Sequence, residues 1–340
     1  MPLTHIYVTR HGHRLNWTID LNTGTYHSVY PTPTGIPVDP PLTGPGVRQS
    51  HELAAHINSD EFSPKPCRIY CSPFYRCLQT IQPTVEALRA RQEVERKGDV
   101  DLDVRLENGL GEWFGSSSTF THPSPPTPST LQPLFPTLLP APAPTPSSTP
   151  NNHTPHLRPS PNGENIATLH NRLATTLHLL IAQVDAELAI YERNHPSEAN
   201  QSRAILICSH AAPIIAMGRA LTGRMPGDTA VEDFRPFTAS LATFVRRGGD
   251  EDGVEVEVEM GMETEEREVI DGKDVPRWKG GVGVGGGWEC VGNGECGFLS
   301  GGEERGWHFN GEEDFDTTPV ALAGPSGART DEIAASVAKL

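Results

Sequence analysis

The stretch Tyr7-Val8-Thr9-Arg10-His11-Gly12-His13-Arg14 decides how the rest of the chain is read. Ile6, Tyr7 and Val8 favour β structure and predict a short buried strand. That strand runs straight into a basic cluster. Gly12 carries no Cβ and lets the chain turn sharply as it leaves the sheet. Arg10, His11 and Arg14 are thereby presented together at the carboxyl end of a strand, where open α/β sheets bind ligands. Arginine grips phosphate oxygens with a planar fork. It also disfavours a protonated imidazole, so His11 is expected to be neutral and able to attack.

The partners of this cluster lie downstream. Thr43 is placed to cap a helix whose apolar stripe is Val47, Ala54 and Ile57. Cys67 to Cys71 reads as a second strand. Ser72-Pro73 after it is a helix start, serine as the N-cap and proline at the first helical position. Leu78, Ile81, Val85 and Leu88 form that helix's buried stripe, and Pro83 is expected to kink it. Arg76 falls in its first turn, at the end that favours anions. Residues 92–105 read as a charged linker. Glu112 sits beside Trp113 and Phe114, where desolvation is expected to raise its pKa towards that of a proton donor.

A long helix is predicted from Gly163 to about Arg193, with Ile166, Leu169, Leu173, Leu177, Leu180, Val184 and Leu188 on one face. Ala204 to Cys208 is a near-continuous apolar run, the mark of a central parallel strand. It ends at Ser209-His210, and a helix follows, so His210 has the same placement as His11. Ala239 to Arg246 and Val254 to Met260 read as a hairpin with one wet, glutamate-rich face. Trp288 to Phe298 is the last apolar segment.

Composition bounds the whole. Of 340 residues 36% are hydrophobic, while 33 are Gly and 32 are Pro, so much of the length is expected as loop around one core. The expected organisation is a single domain over residues 1–115 and 162–310. A Pro/Ser/Thr-rich disordered insertion is expected at 116–161, an acidic, Gly-rich flexible loop at 262–287 and a disordered tail at 316–340. The polar loop 15–41 is expected beside the site. The net charge of −16 argues against direct nucleic-acid binding, yet a basic pocket remains compatible with a phosphorylated substrate. The six cysteines make no C-x-x-C pair or zinc tetrad and read as free thiols of a reducing compartment. The first strand leaves no room for a secretory signal, and no apolar run approaches the ~18 residues of a membrane-spanning helix. An intracellular protein, cytoplasmic or nuclear, without membrane attachment is the expectation.

Together these residues resemble the histidine phosphatase superfamily, the phosphoglycerate-mutase-like proteins. The resemblance covers about residues 4–114 and 163–246. It implies a three-layer αβα sandwich with a mostly parallel central sheet. Arg10-His11-Gly12 matches the family's signature triplet, which makes His11 the phosphate-accepting nucleophile. Arg14 matches an arginine of the phosphatase branches, where mutases usually carry a small hydroxyl residue. Ser72-Pro73, Arg76 and Thr80 match the next block and make Arg76 a phosphate ligand. Glu112 falls at the proton donor, and His210 at the second catalytic histidine. His13 departs from the pattern, since many relatives have Glu or Gln there.

The implied activity is phosphomonoester hydrolysis through a phosphohistidine, with Arg10, Arg14, Arg76 and His210 holding the phosphoryl oxygens. No cofactor or metal is implied, because the arginines supply the positive charge. The substrate is a phosphorylated small molecule or a phosphoprotein. A narrower likeness rests on Phe74-Tyr75-Arg76-Cys77, Gly109-Leu110-Gly111-Glu112-Trp113 and the stretch from Asn293 to Phe309. It points to a fungal branch that includes the tau subunit of the RNA polymerase III general transcription factor. That branch implies the alternative of a protein-interaction subunit, weakly catalytic or not catalytic at all, with transcription-complex subunits as partners.

Overall fold

Short β-favouring runs, buried almost without a break in the central strands, give the sheet from which everything else hangs. In the computed structural model of the protein, the residues described are 2–20, 23–95, 101–139, 153–248, 267–276, 278, 284–285 and 287–311. In chain order they build β1 (His5–Arg10), β2 (Trp17–Asp20), β3 (Thr25–Ser28), α1 (Gly44–Asn58), β4 (Pro66–Cys71) and α2 (Tyr75–Glu95). Then come β5 (Val104–Leu106), a 3₁₀ turn (Asn108–Leu110), α3 (Pro128–Leu131), α4 (Ile166–Asn194), β6 (Ala204–Ser209) and α5 (Ala211–Thr222). The chain continues through β7 (Leu241–Arg246), the hairpin β8 (Arg267–Ile270) and β9 (Lys273–Pro276), and β10 (Trp288–Glu295).

Six strands form one sheet in the order β10-β7-β1-β6-β4-β5. β1, β6, β4 and β5 run parallel, while β7 is antiparallel to β1 and β10 is antiparallel to β7. The central strands are apolar on both faces because helices cover both. Ile6, Val8, Ile205 and Ile207 pack with α4 and α5 residues such as Leu173 and Ile215. Tyr7, Ile69, Leu206 and Cys208 pack with Leu53, Ile57, Leu78 and Val85 of α1 and α2. The expected αβα sandwich with a mostly parallel sheet is therefore what the chain forms.

Register places the site. Arg10 is level with Ser209, and Cys71 is level with Cys208 and Leu106. The next residues, His11, His210, Ser72 and Glu107, all emerge from the same carboxyl edge. The turn out of β1 is packed against α1 so closely that a Cβ on Gly46 would collide with the backbone of His13. Gly46→Ala is expected to destabilise the fold by about 1–3 kcal/mol, read as a lower urea midpoint at unchanged slope.

Several expectations are corrected. The segment 15–41 is not all polar loop: β2 and β3 pair as a hairpin that buries Trp17 and Tyr26 in the core. Val47 is exposed at 36%, and Leu53 takes its place in the α1 stripe. Within the stretch 92–105, residues 92–95 belong to α2 and residues 104–105 to β5, while 96–100 lie outside the described residues. α2 continues as helix through Pro83. Its first residue is Tyr75, whose N–H is accepted by Asp39 Oδ2 at 2.9 Å, so Ser72 is not the cap and its hydroxyl is released for other work.

The insertion differs most. Leu131, Phe135, Leu138 and Leu139 are buried in the same cluster as α2, and Leu157 packs with Ile270 and Val275. These apolar residues offset the ordering entropy that the surrounding Pro, Ser and Thr cannot. Within the expected flexible loop 262–287, residues 267–276 form the β8–β9 hairpin. The expected strand Val254 to Met260 and the tail 316–340 lie outside the described residues. α4 is long and apolar enough to cross a membrane by length and composition, although no unbroken apolar run stands out in the sequence. Its apolar stripe, Leu169 to Leu188, is buried against the sheet.

Candidate active site

Arg10, His11, Arg14, Arg76, Glu112 and His210 are each at most 4% exposed, and they converge at the carboxyl edge of β1, β4 and β6. The His11 and His210 rings meet edge-on, their centroids 5.3 Å apart. Residues separated by two hundred positions thus share one site, as the strand-tip argument requires.

His11 is held by both ends. Its backbone N–H donates to Ser209 O at 3.0 Å. Its Nδ1 lies 2.8 Å from Gly12 O, which fixes the tautomer with the proton on Nδ1. Nε2 is then a lone pair, buried and without a hydrogen-bond partner. Burial, then Arg76, His210, Arg10 and Arg14, hold the imidazole pKa well below its ordinary value. The ring is neutral and nucleophilic at physiological pH. Gly12 N–H donates to Thr80 Oγ1 at 2.9 Å, and that hydroxyl bonds Arg76 O, so the turn after β1 is tied to the first turn of α2.

The three guanidinium groups reach the site from different elements. Arg10 Nη1 donates to Pro236 O (2.8 Å) and Arg305 O (2.6 Å). Arg14 Nη1 donates to Leu15 O at 2.9 Å. Arg76 donates to Val38 O (2.8 Å) and pairs with Asp39 (3.3 Å) and Glu112 (2.9 Å), its guanidinium 4.5 Å from the Phe74 ring centroid. Burial lowers the pKa of Arg10 to about 10 and that of Arg14 well below its usual value, with the neighbouring arginines adding to the strain on Arg14. Three guanidinium groups around the carboxylates of Asp39 and Glu112, all withdrawn from water, leave a net positive site that suits an anion.

Glu112 is where the sequence expectation fails. Burial does push its pKa up, but His210, Arg76 and Arg14 outweigh it and bring the carboxyl down to about 2. It is ionised at rest, 3.0 Å from His210 Nδ1 and 2.9 Å from Arg76 Nη2. Its loop is set by Arg172 of α4, which donates to the carbonyls of Gly109 (2.6 Å) and Gly111 (3.3 Å) and pairs with the buried Glu164.

His210 lies between Glu112 and Ser72. Its Nε2 is 2.7 Å from Ser72 Oγ, and burial lowers its pKa to about 4 against the pull of Glu112. With Nδ1–H donated to Glu112 and Nε2 accepting from the serine, His210 is neutral.

Asp39 and Arg172 are the functional neighbours that sequence reasoning missed. Ser72, read from sequence as a helix cap, instead meets His210. One donor atom each of His11, Glu112 and His210 lie within 4.8 Å of one another, a set that has the elements of a metal ligand group. The guanidinium groups around it oppose a cation and favour an oxyanion. Beside Glu112 a cleft of about 320 Å³, open to solvent, is lined by Phe74, Phe114, His122 and residues 123–125 and 159–161 of the insertion.

Residues 6–119 match the histidine phosphatase superfamily, branch 1. Over that region, about a third of its length, the chain resembles the superfamily. The chain is 29% identical to the transcription factor tau 55 kDa subunit of Saccharomyces cerevisiae, over 91% of its own length and 59% of that protein's. It is 30% identical to the ecdysteroid-phosphate phosphatase of Drosophila melanogaster over 32% of its length, which is 16% of that protein. The chain thus spans less than two thirds of both relatives. Among solved structures, a mycobacterial glucosyl-3-phosphoglycerate phosphatase overlaps 86% of this chain and 98% of its own, at 14% identity and a TM-score of 0.40.

Proposed function

We propose that the protein hydrolyses phosphate monoesters through a phosphohistidine formed on His11. The observation that carries this reading is the His11 ring: Nδ1 is held by Gly12 O while Nε2 is bare, within the field of Arg76, Arg10 and Arg14. His11 Nε2 attacks phosphorus and the ester oxygen leaves. Water then attacks the phosphohistidine and regenerates the ring. Arg10, Arg14 and Arg76 carry the phosphoryl charge, with His210 as a neutral hydrogen-bond donor beside it. An entering phosphoryl group takes over donors that Glu112 now occupies, and its charge raises the proton affinity of that carboxylate. Glu112 then serves as acid for the leaving oxygen and as base for water. The test is to quench the protein during turnover of a labelled phosphomonoester. An acid-labile, alkali-stable label on His11 is expected; turnover with no such label would refute the mechanism.

Glu112 is ionised in the free site, so the leaving-group proton has to arrive with the substrate. Phosphomonoesters lose their second proton near pH 6. kcat/KM is therefore expected to be highest below about pH 6 and to fall roughly tenfold per unit above it. His210 stays neutral down to about pH 4, so it adds no acid limb above that value. A plateau of kcat/KM extending to pH 8 would show that Glu112 brings its own proton.

A second reading has its own support. The site is closed, its arginine donors bonded to internal carbonyls and carboxylates, and the chain matches a transcription factor subunit along 91% of its length. In this reading the fold is a nuclear assembly piece that binds other transcription-complex subunits. Co-purification with such a complex, together with no turnover on a panel of phosphotyrosine peptides, sugar phosphates and nucleotides, would favour it over catalysis.

A further inference from the structure

We propose that Glu107, His153 and His156 form a binding site for one zinc-class divalent ion, separate from the phosphate site. Glu107 follows β5 and is fully buried, 0% exposed. Its carboxylate accepts N–H groups from Gly109 (2.8 Å) and His156 (3.0 Å to each oxygen), and it lies 2.9 Å from His153 Nε2. Among the described residues, the group within ion-pair reach of this carboxylate is that histidine, not a lysine or arginine. A buried carboxylate in such surroundings calls for a positive charge.

The two imidazoles supply independent evidence. The His153 side chain is 3% exposed, and its Nε2 is the ring nitrogen that faces Glu107. His156 bonds Gln183 through its side chain, and its Nε2 is buried without a hydrogen-bond partner among the described residues. Burying a ring nitrogen unbonded is unfavourable unless something binds it. One donor atom from each of the three residues lies within 4.8 Å of the others. A tetrahedral zinc with bonds of about 2.0–2.1 Å sets its ligand atoms roughly 3.3 Å apart, so a small inward movement closes the set. Two imidazoles and one carboxylate suit zinc better than magnesium or calcium, which prefer oxygen alone. Water or a further group would complete the shell.

The location gives the ion a task. His153 and His156 belong to the returning arm of the insertion, and Leu157 anchors that arm to β8 and β9. Glu107 opens the turn that leads to Glu112. A bound ion ties the insertion to the acid loop and so fixes the cleft-lining residues 159–161.

The experiment uses tag-free full chain, stripped with a chelator and titrated with Zn²⁺ and with Co²⁺ as a visible probe. One equivalent of zinc per chain is expected, with the visible absorption of four-coordinate Co²⁺. His156→Ala is expected to lose both while keeping its far-UV circular dichroism, since the ring gives up only a side-chain bond to Gln183. His11→Ala is expected to keep both. Absence of stoichiometric binding, or binding that survives His156→Ala and disappears in His11→Ala, would overturn the proposal.

Discussion

His11→Ala is expected to lower kcat/KM on any phosphomonoester the protein turns over by at least roughly 10⁴-fold and to abolish the phosphoenzyme label. The size follows from the site. Among the described residues no other side chain offers a bare, buried, neutral nitrogen there: both ring nitrogens of His210 are engaged, by Ser72 and Glu112. The arginines would still bind phosphate, so the loss should fall on kcat more than on KM. Stability should change little by comparison, because the ring's hydrogen bond runs only to the adjacent Gly12 carbonyl. The checks are steady-state kinetics and a urea unfolding curve. Full turnover in the variant would end the phosphohistidine reading. A variant that still folds and still assembles with partner proteins would separate catalysis from assembly.

Much of this was legible in the sequence, for identifiable reasons. β1 and β6 could be read because they are nearly unbroken apolar runs, and the α4 stripe because it is buried on a helical period; both patterns are written directly in the sequence. His11, Arg76 and His210 could be placed because a strand tip or a first helical turn is a local feature. The ionisation of Glu112 could not be read. Its aromatic neighbours Trp113 and Phe114 are adjacent in sequence, whereas His210 and Arg76, which outweigh desolvation, arrive through the fold.

Asp39 was hidden in the same way, since it caps a helix that begins 36 residues later. The insertion misled by composition: Pro, Ser and Thr dominate it, yet Leu131, Phe135, Leu138 and Leu139 are enough to seat part of it in the core. His153 and His156 were lost in that background, because their carboxylate partner lies 46 residues away from His153.

Arg76→Met should produce the largest loss of stability among the site substitutions, about 3–5 kcal/mol, together with loss of phosphate binding. Arg76 is fully buried and is the cation facing two buried carboxylates, Asp39 and Glu112. Methionine fills similar volume but leaves both charges without their partner, which is the expensive way to break a buried pair. The penalty should depend on pH, with a sign that can be worked out. Burial already raises the Asp39 pKa above its ordinary value, and Arg76 is the chief influence opposing that rise. Without it, the folded-state pKa of each carboxyl moves up, while the unfolded-state values stay near 4.

A group whose folded pKa exceeds its unfolded pKa destabilises the fold increasingly as pH rises from the unfolded value to the folded one. The variant should thus lose more stability relative to the parent at pH 8 than at pH 5, the reverse of a simple loss of packing. Adding Glu112→Gln removes one of the stranded charges and should recover part of the difference at pH 8, with little gain at pH 5. Urea denaturation of the parent and of the single and double variants at both pH values decides it. If the loss is the same at pH 5 and pH 8, and the second substitution brings no recovery, then Arg76 acts through packing alone and the electrostatic account of the site is wrong.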